Sequence, residues 1–529
     1  MTSTESESYQ SIQEVIEFPE LVIGLVGAVG TDWPLIYETL KNRLSGFGYE
    51  AEEIRVSRCV IDDLKPLPKT NDVFERTWAA MSAGDELRAE ESTILALGVA
   101  ATIAERRKKR IEANEGSHPR LAYIVNSLKH PDEVKCLRRI YSDAFYLLGI
   151  FSSDKRQRIF LEDEQNIDSD NVKKLIERDA HEEEQHGQRT SQTFHLADFF
   201  VYIGEQPSET KAALRRILDL VFGHPYKTPT FDEYAMFLAF TASLRSADLS
   251  RQVGAVIAKD EEVIATGAND APKAGGGLYW PEYSSSREKI VDKPRSRDYT
   301  REGDSNANEK RRIAKDIAHR IEQNLSDVLE HQLGLPPRVK PEVLERVISE
   351  SRLSDITEYF RVVHAEMEAL LCCARNNVSA RQGTLYCTTF PCHNCAKHIV
   401  AAGIRRVVYV EPYAKSKAPE FHDDSIRLGV EKGVDEGHVV FEPFMGVGPR
   451  KFFDLFSLKL SAGYEIERKT SDGRLVLDRE QEDGDDFEWP VNTARVRVSV
   501  PFIAYADRER EAVKEFNSLR ERIQNASAH

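Results

Sequence analysis

No stretch of this chain is long and apolar enough to span a bilayer as a helix, and cationic charge is in deficit. The 72 Lys and Arg stand against 88 Asp and Glu, a formal net charge of −16. The first absence excludes a helical membrane anchor. The second disfavours a polyanionic partner, because nucleic-acid affinity rests mainly on phosphate neutralisation by Lys and Arg. A small nucleotide held by a few arginines remains compatible with it. Cysteine is sparse as well: seven in 529 residues, with no dense pairing pattern. That excludes a disulfide scaffold and predicts a reducing, cytoplasmic setting. The polar, acidic opening Met1-Thr2-Ser3-Thr4-Glu5-Ser6-Glu7-Ser8 lacks the apolar core of a signal peptide. There is no internal repeat.

What is present is an ordinary soluble balance, 41% hydrophobic and 30% charged, over a length that calls for two or more domains. Residues 1–20 read as a flexible lead. From 21 to 228, strand-like runs (Leu21 to Gly27, Ala51 to Val56, Leu121 to Asn126, Ala144 to Phe151, Ala197 to Ile203) alternate with helical ones. The helical candidates are Asp85 to Arg107, Pro131 to Tyr141, Asn171 to Glu184 and Glu209 to Phe222. This alternation predicts a doubly wound parallel α/β sheet, ended by a linker at His224 to Pro229. A second α/β region, 229–460, opens with a helix at Phe231 to Arg245 and a strand pair at Gln252 to Ile257 and Glu262 to Gly267. The charged stretch from about 273 to 356 is too long for a plain loop and predicts a folded, helical insertion. Arg405 to Glu411 and His438 to Phe444 read as strands. The remainder, 461–529, reads as a C-terminal extension with an acidic run at Glu482 to Asp486, a strand-like Ala494 to Val500 and a charged helix.

The chemistry concentrates in two short segments, His364-Ala365-Glu366 and Pro391-Cys392-His393-Asn394-Cys395. Imidazole and thiolate suit zinc, and a catalytic site uses three protein ligands and leaves a fourth position for water, whose pKa falls to roughly 7. His364, Cys392 and Cys395 supply the three. Pro391 suits the first position of a helix, which sets Cys392 and Cys395 one turn apart on one face. Glu366 is two residues from a ligand and can serve as proton carrier without binding the metal. A structural zinc site or reduced core cysteines is the plainer alternative, but a closed site needs a fourth ligand, and Cys387, Cys372, Cys373 and His393 are poorly placed to give it.

Read together, H-x-E and P-C-x-x-C are the signature of the zinc-dependent nucleobase and nucleotide deaminases. From about Phe231 to Phe456 the chain resembles the deoxycytidylate deaminases of the cytidine deaminase superfamily. The likeness is carried in order by Arg245-Ser246-Ala247-Asp248, Gln252-Val253-Gly254-Ala255-Val256-Ile257, Thr266-Gly267-Ala268-Asn269-Asp270-Ala271-Pro272, the two zinc motifs, and Ala401-Ala402-Gly403-Ile404. The resemblance implies a cytidine-deaminase-like α/β/α sandwich around a mixed sheet, a Zn2+ cofactor and deoxycytidine nucleotides as substrates. It implies that Asn269 contacts the deoxyribose side of the nucleotide, against the alternative of a turn asparagine. Arg245 and Arg251 are candidate phosphate contacts, against surface ion pairs. Tyr413 is a candidate for the base pocket, against a packing role.

In the first half, Gly24-Leu25-Val26-Gly27-Ala28-Val29-Gly30-Thr31-Asp32-Trp33-Pro34 follows a strand and precedes a helix, which is P-loop context. Neither alignment of the motif supplies its lysine followed by a hydroxyl residue. Gly24, Gly27, Gly30 and Thr31 are therefore candidate nucleotide contacts through backbone amides. Arg156, Arg158 and Arg189 are placed as lid arginines would be, or as plain helix-surface arginines. A degenerate P-loop kinase-like domain joined to a deoxycytidylate-type deaminase resembles the bacterial antiphage dCTP deaminases, some of them paired with an inhibitory RNA. That resemblance implies conversion of dCTP, and with it dCMP, to dUTP and dUMP during infection. It also implies a regulatory nucleotide at the P-loop domain, an RNA partner and a homo-oligomer. A housekeeping dCMP deaminase, a nucleic-acid editor and a catalytically silent nucleotide sensor are the rivals.

Overall fold

The computed structural model describes residues 19–527 apart from 114–119, 181–189, 328–339, 354–358, 414–415, 430–436, 477–493 and the single positions 205, 302 and 352. The described residues fall into two compact units. One is drawn from Met1–Tyr234 with Phe444–His529, the other from Ala235–Pro443.

The first unit begins with β1 (Leu21–Gly27), every residue of which is buried. An unbroken apolar run is what a strand covered on both faces needs. A glycine-rich turn leads into α1 (Trp33–Gly46), whose N-cap Asp32 accepts a hydrogen bond from the Leu35 N–H at 3.0 Å. There follow β2 (Glu50–Arg55), α2 (Val73–Glu90), α3 (Ile94–Ala113), β3 (Leu121–Asn126), α4 (Pro131–Tyr141), β4 (Phe145–Ser152), α5 (Ser169–Ala180), β5 (Phe199–Ile203) and α6 (Pro207–Val221). The five strands are parallel and ordered β2-β3-β1-β4-β5, so successive strands change sides at β1. The main core joins the strands to α1 and α6 through Leu21, Ile23, Leu40, Leu148, Phe199 and Phe222.

Several sequence expectations are corrected here. The helix expected over Asp85 to Arg107 is two helices, broken at Glu91–Thr93, where Glu91 is extended and the Thr93 hydroxyl donates to its carboxylate at 2.9 Å. Such local side-chain bonds compete with helical ones. The part of Asn171 to Glu184 beyond Ala180 lies outside the described residues, as do Arg189 and the acidic run. His224 to Pro229 is no linker: His224 is buried, its Nδ1 accepts from the Tyr226 N–H at 3.2 Å, and Tyr226 donates its hydroxyl to Arg468 O at 2.7 Å. Nor is the C-terminal segment an extension. Its helix, Ala506–Ser527, packs on α3, and the buried Arg107 bridges Glu509 at 2.9 Å and Glu20 at 2.7 Å. Ala494 to Val500 forms no strand. Ala494, Val496 and Val498 are buried, but one backbone bond, Arg497 N to Val221 O at 2.7 Å, stands in place of a ladder.

The second unit is entered through α7 (Phe231–Ser243). It holds β6 (Gly254–Lys259), β7 (Glu262–Ala268), α8 (Ala365–Arg375), β8 (Thr384–Thr389), α9 (His393–Ala401), β9 (Arg406–Glu411), β10 (Ile426–Leu428) and β11 (Val439–Pro443). Its sheet is mixed and ordered β10-β11-β9-β8-β6-β7, with β6 antiparallel to both neighbours and the other pairings parallel. The insertion between β7 and α8 is only partly helical. A small hairpin, Glu282–Tyr283 with Ile290–Val291, precedes helices Ser305–Asp327 and Pro341–Ser349. No helix among the described residues is long and apolar enough to cross a membrane.

Candidate metal centre

The site is built by two chain segments that each end at a helix start. Gly267 of β7 lets α8 lie directly on the sheet: a Cβ there would sit 2.1 Å from Ala365 O and 2.6 Å from Ala369 N. The residue before the first ligand is anchored too, since Val363 and Asp270 exchange backbone hydrogen bonds of 3.0 and 3.3 Å. His364 thereby becomes the N-cap of α8, with Glu366 in its first turn. On the other arm, β8 runs through Phe390 and Pro391 to Cys392, the N-cap of α9, with Cys395 in its first turn. The spacing predicts Pro391 at the first helical position. It stands instead just ahead of the cap, where its carbonyl accepts from the Ser416 hydroxyl at 2.8 Å. Both cysteines still sit at a helix N-terminus, where the aligned backbone dipoles favour a thiolate.

The three side chains converge. His364 Nδ1 lies 3.4 Å from Cys392 Sγ and 3.3 Å from Cys395 Sγ, and the three donor atoms fall within 4.8 Å of one another. A tetrahedral zinc with ordinary Zn–S and Zn–N bonds sets N···S edges of about 3.6 Å, so the spacing fits. Among the described residues no fourth His, Cys, Asp or Glu joins the group, which is the open arrangement of a catalytic site and not the closed one of a structural site. The electrostatics divide the three donors: the hydrogen bond to Cys392, then burial, push the Cys395 thiol well above its ordinary value. The hydrogen bonds from Cys395 and then His364 outweigh burial and hold the Cys392 thiol down at about 4. Burial alone would lower the His364 pKa, but its hydrogen bond to Cys392 and the charges of Glu366 and Cys392 raise it to about 9. Glu366 is buried at 4% exposure, and desolvation raises its carboxyl above the usual range. Its side chain reaches Cys395 but is not a member of the donor group.

Residues 229–411 match the family model of the cytidine and deoxycytidylate deaminase zinc-binding region. The deoxycytidylate deaminase of Enterobacteria phage T4 is 30% identical over 197 residues, 37% of this chain and 84% of that protein. The chain belongs to the deoxycytidylate deaminase family. Another relative, the Saccharomyces cerevisiae deoxycytidylate deaminase, is 29% identical over 194 residues, 36% of this chain and 40% of that one. Among solved structures, the dCMP deaminase of cyanophage S-TIM5, in complex with dCMP and dUMP, is 18% identical with a TM-score of 0.21, over 41% of this chain and 100% of that one. Zinc is the cofactor that this family's zinc-binding region and the His/Cys/Cys donor set assign.

The family's other candidate positions fall as follows. Asn269 is buried and spends its side chain on the chain nearby: Oδ1 accepts from Val253 N at 2.7 Å and Nδ2 donates to Arg251 O at 2.8 Å. The second N–H of that amide has no acceptor among the described residues. Arg251 and Tyr413 come together, the guanidinium 5.5 Å from the ring centroid, with Glu411 3.8 Å from Arg251. Arg245 instead stacks 3.6 Å over Trp280 and donates to Tyr279 O at 2.9 Å, while its buried Nε has no partner among the described residues. Trp280 lies on the insertion and carries no motif, so local sequence gave no sign of it.

In the first unit, Gly24 is not part of the loop. It lies inside β1, and a Cβ there would meet Phe145 at 2.8 Å. Gly27 ends β1 and is tightly packed, 2.9 Å from both Ile150 O and Trp33 for an added Cβ. Gly30 has φ +81°, a left-handed conformation that suits glycine, and packs against Gln157. Thr31 donates its hydroxyl back to Ala28 O at 2.7 Å. Gly30 and Thr31 line a cavity of about 350 Å³ beyond the carboxyl ends of β1, β2 and β3. Arg156 pairs at 3.5 Å with Asp32 and at 3.4 Å with Glu164, and neither it nor the exposed Arg158 lines that cavity.

Proposed function

We propose that the second unit hydrolytically deaminates deoxycytidine nucleotides, taking dCTP and dCMP to dUTP and dUMP with release of ammonia. The observation that carries this reading is the convergence of His364, Cys392 and Cys395 on one point with a buried carboxylate, Glu366, beside them and outside the donor set. Zinc, when bound there, supplies Lewis-acid activation of water at neutral pH. The remaining work belongs to the chain. Glu366 accepts a proton from the attacking water and passes it to N3 of the cytosine as the bond from oxygen to C4 forms, then takes the remaining proton of that oxygen and delivers it to the amine as the C4–N bond breaks. Water's oxygen ends as the C4 carbonyl, and ammonia leaves. Burial excludes bulk solvent from this exchange, so the carboxyl does not trade its proton elsewhere.

Arg251 is the favoured phosphate contact, because it is exposed and held only by a long ion pair and a ring face. Tyr413 beneath it then borders the base or sugar, and the spare N–H of Asn269 is available to the deoxyribose. Arg245 serves less directly, its guanidinium being committed to Tyr279 and Trp280. The first unit is read as a degenerate P-loop domain that binds a nucleotide without phosphoryl transfer. The parallel strand order, the glycine turn at the end of β1 and the cavity there support this. The joining of such a unit to a deaminase supports the antiphage role, depletion of dCTP during infection. The names of the relatives, deoxycytidylate deaminases, favour a second reading: a monophosphate-preferring enzyme of thymidylate supply. Initial rates on dCMP and dCTP separate the two, since a strict monophosphate preference with unchanged dCTP pools in phage-infected cells sinks the first.

A further inference from the structure

The cavity at the end of β1 is chemically lopsided. Its apolar wall includes Val29, Trp33 and Phe160, and its rim carries Arg58 and Arg76, exposed and without a carboxylate partner among the described residues. At about 350 Å³ it lies in the ~300–1,000 Å³ range of small-ligand pockets, apolar with a few placed charges. The phosphate seat of the glycine loop, however, is already filled from within. Asp179, on α5 and only 5% exposed, accepts the Val29 backbone N–H on Oδ2 at 2.7 Å. Its Oδ1 takes the Lys129 ammonium at 3.1 Å, and Lys129 also ties the loop through Gly27 O at 2.8 Å. The adjoining helix start is occupied by the Asp32 carboxylate. Amides and ammonium that would otherwise receive the terminal phosphates of a nucleoside triphosphate are thus bound to carboxylates of the chain itself.

We propose that this cavity is a site for a nucleoside monophosphate, its single phosphate received by Arg58 and Arg76 and its base set against the Trp33 wall, and that Asp179 stands in the loop's phosphate seat and excludes a triphosphate chain. The proposal rests on the nucleotide-binding reading of the first unit given above, and it names the ligand class and the residue that selects it. Two guanidinium groups without a carboxylate partner among the described residues suit a phosphate monoester, because charge-assisted contacts to it are strong and bidentate. An isolated apolar compound would leave both charges unused, and a triphosphate would meet the Asp179 carboxylate head-on.

The test uses the full zinc-loaded chain, titrated with dAMP, dGMP, dTMP and the matching triphosphates, and read by calorimetry and by tryptophan fluorescence with a Trp33→Phe control. The expected result is binding of at least one monophosphate, with a Trp33-dependent signal and at least tenfold tighter than its triphosphate. Arg58→Ala/Arg76→Ala weakens it at least tenfold, the loss expected from one or two charged hydrogen bonds. If circular dichroism shows that this pair misfolds, Arg58→Gln/Arg76→Gln replaces it. Asp179→Asn keeps an acceptor for Val29 N–H, removes the charge, and is expected to tighten the triphosphate at least fivefold. Equal affinity for mono- and triphosphates, unaltered by Asp179→Asn, overturns the proposal, as does binding indifferent to Arg58 and Arg76, or no binding at all. Deamination of dCMP measured on the same preparation keeps the two claims apart. A chain that deaminates but binds nothing here refutes only this site, and one that binds here but does not deaminate refutes only the catalytic reading.

Discussion

Replacing Gly267 with alanine tests how tightly the catalytic helix is seated. The new methyl carbon would stand 2.1 Å from Ala365 O and 2.6 Å from Ala369 N, both backbone atoms of α8. Restoring ordinary contact distances needs a movement of about 1 Å. Strand β7 is paired along its length to β6, and Val363 is tied to Asp270 at 3.0 and 3.3 Å, so the helix start pivots on a fixed anchor. Ala365 lies between His364 and Glu366, so both move relative to Cys392 and Cys395, which ride on α9. Overpacking costs about 1–3 kcal/mol of stability, and a misplacement of about 1 Å costs roughly a hundredfold in rate. The assay is ammonia release from dCMP and dCTP, with zinc per chain by mass spectrometry and thermal unfolding in parallel. The expected outcome is a folded protein with kcat down about a hundredfold and lowered zinc content. Gly46→Ala, at a helical position with nothing within 4 Å, is the control and keeps full activity. Wild-type turnover with full zinc in Gly267→Ala would refute the claim that this contact sets the site.

Three further outcomes follow from particular residues. Cys392→Ala leaves only two of the three donors, so zinc per chain falls well below the value of about one in the wild type and activity falls with it, while the fold persists. Arg251→Ala raises KM for the nucleotide by about tenfold with kcat nearly unchanged, and because Arg251 is exposed the melting temperature stays put; a kcat defect without a KM change would remove it from the phosphate contacts. His224 is held neutral, its pKa lowered from 6.5 to about 4 chiefly by burial and next by Lys227. The unfolded chain binds that proton below 6.5 and the folded one does not until about 4, so stability rises with pH across this window and is fully present above it. The span is worth about 3 kcal/mol; denaturant unfolding at pH 4.5 and 7.5 should show a fall on acidification that His224→Gln reduces.

The metal centre was legible because its ligands come from two short segments whose spacing is set by helix starts. His364, Glu366, Cys392 and Cys395 need no long-range knowledge to be grouped. The buried strands were legible for a similar reason: Leu121 to Val125 is an unbroken run of apolar and aromatic residues, and β3 covers it together with Asn126. What escaped depends on partners distant in sequence. Asp179 meets Val29 across 150 positions, and an isolated aspartate on a charged helix carries no mark of that. Trp280 meets Arg245 from an insertion without motif. Ala494 to Val500 alternates as a strand does, but alternation reports only which side chains are buried, and here the segment forms no strand and bonds its Arg497 N–H to Val221 O. The C-terminal helix reads only as a charged one until Glu509 is seen to pair with the buried Arg107. Gly24 looked like a loop glycine because glycine marks turns in general, whereas here it makes room for the Phe145 ring inside the sheet.

The most direct test of the catalytic claim is chromatography of dCMP, dCTP, CMP and CTP incubated with the zinc-loaded full chain, with Glu366→Gln run alongside. Deoxyuridine nucleotides and equimolar ammonia are expected from the deoxycytidine substrates, with a loss of about a hundredfold or more in Glu366→Gln with zinc retained. No conversion of any deoxycytidine nucleotide by the zinc-loaded chain, or equal conversion by Glu366→Gln, would contradict that claim.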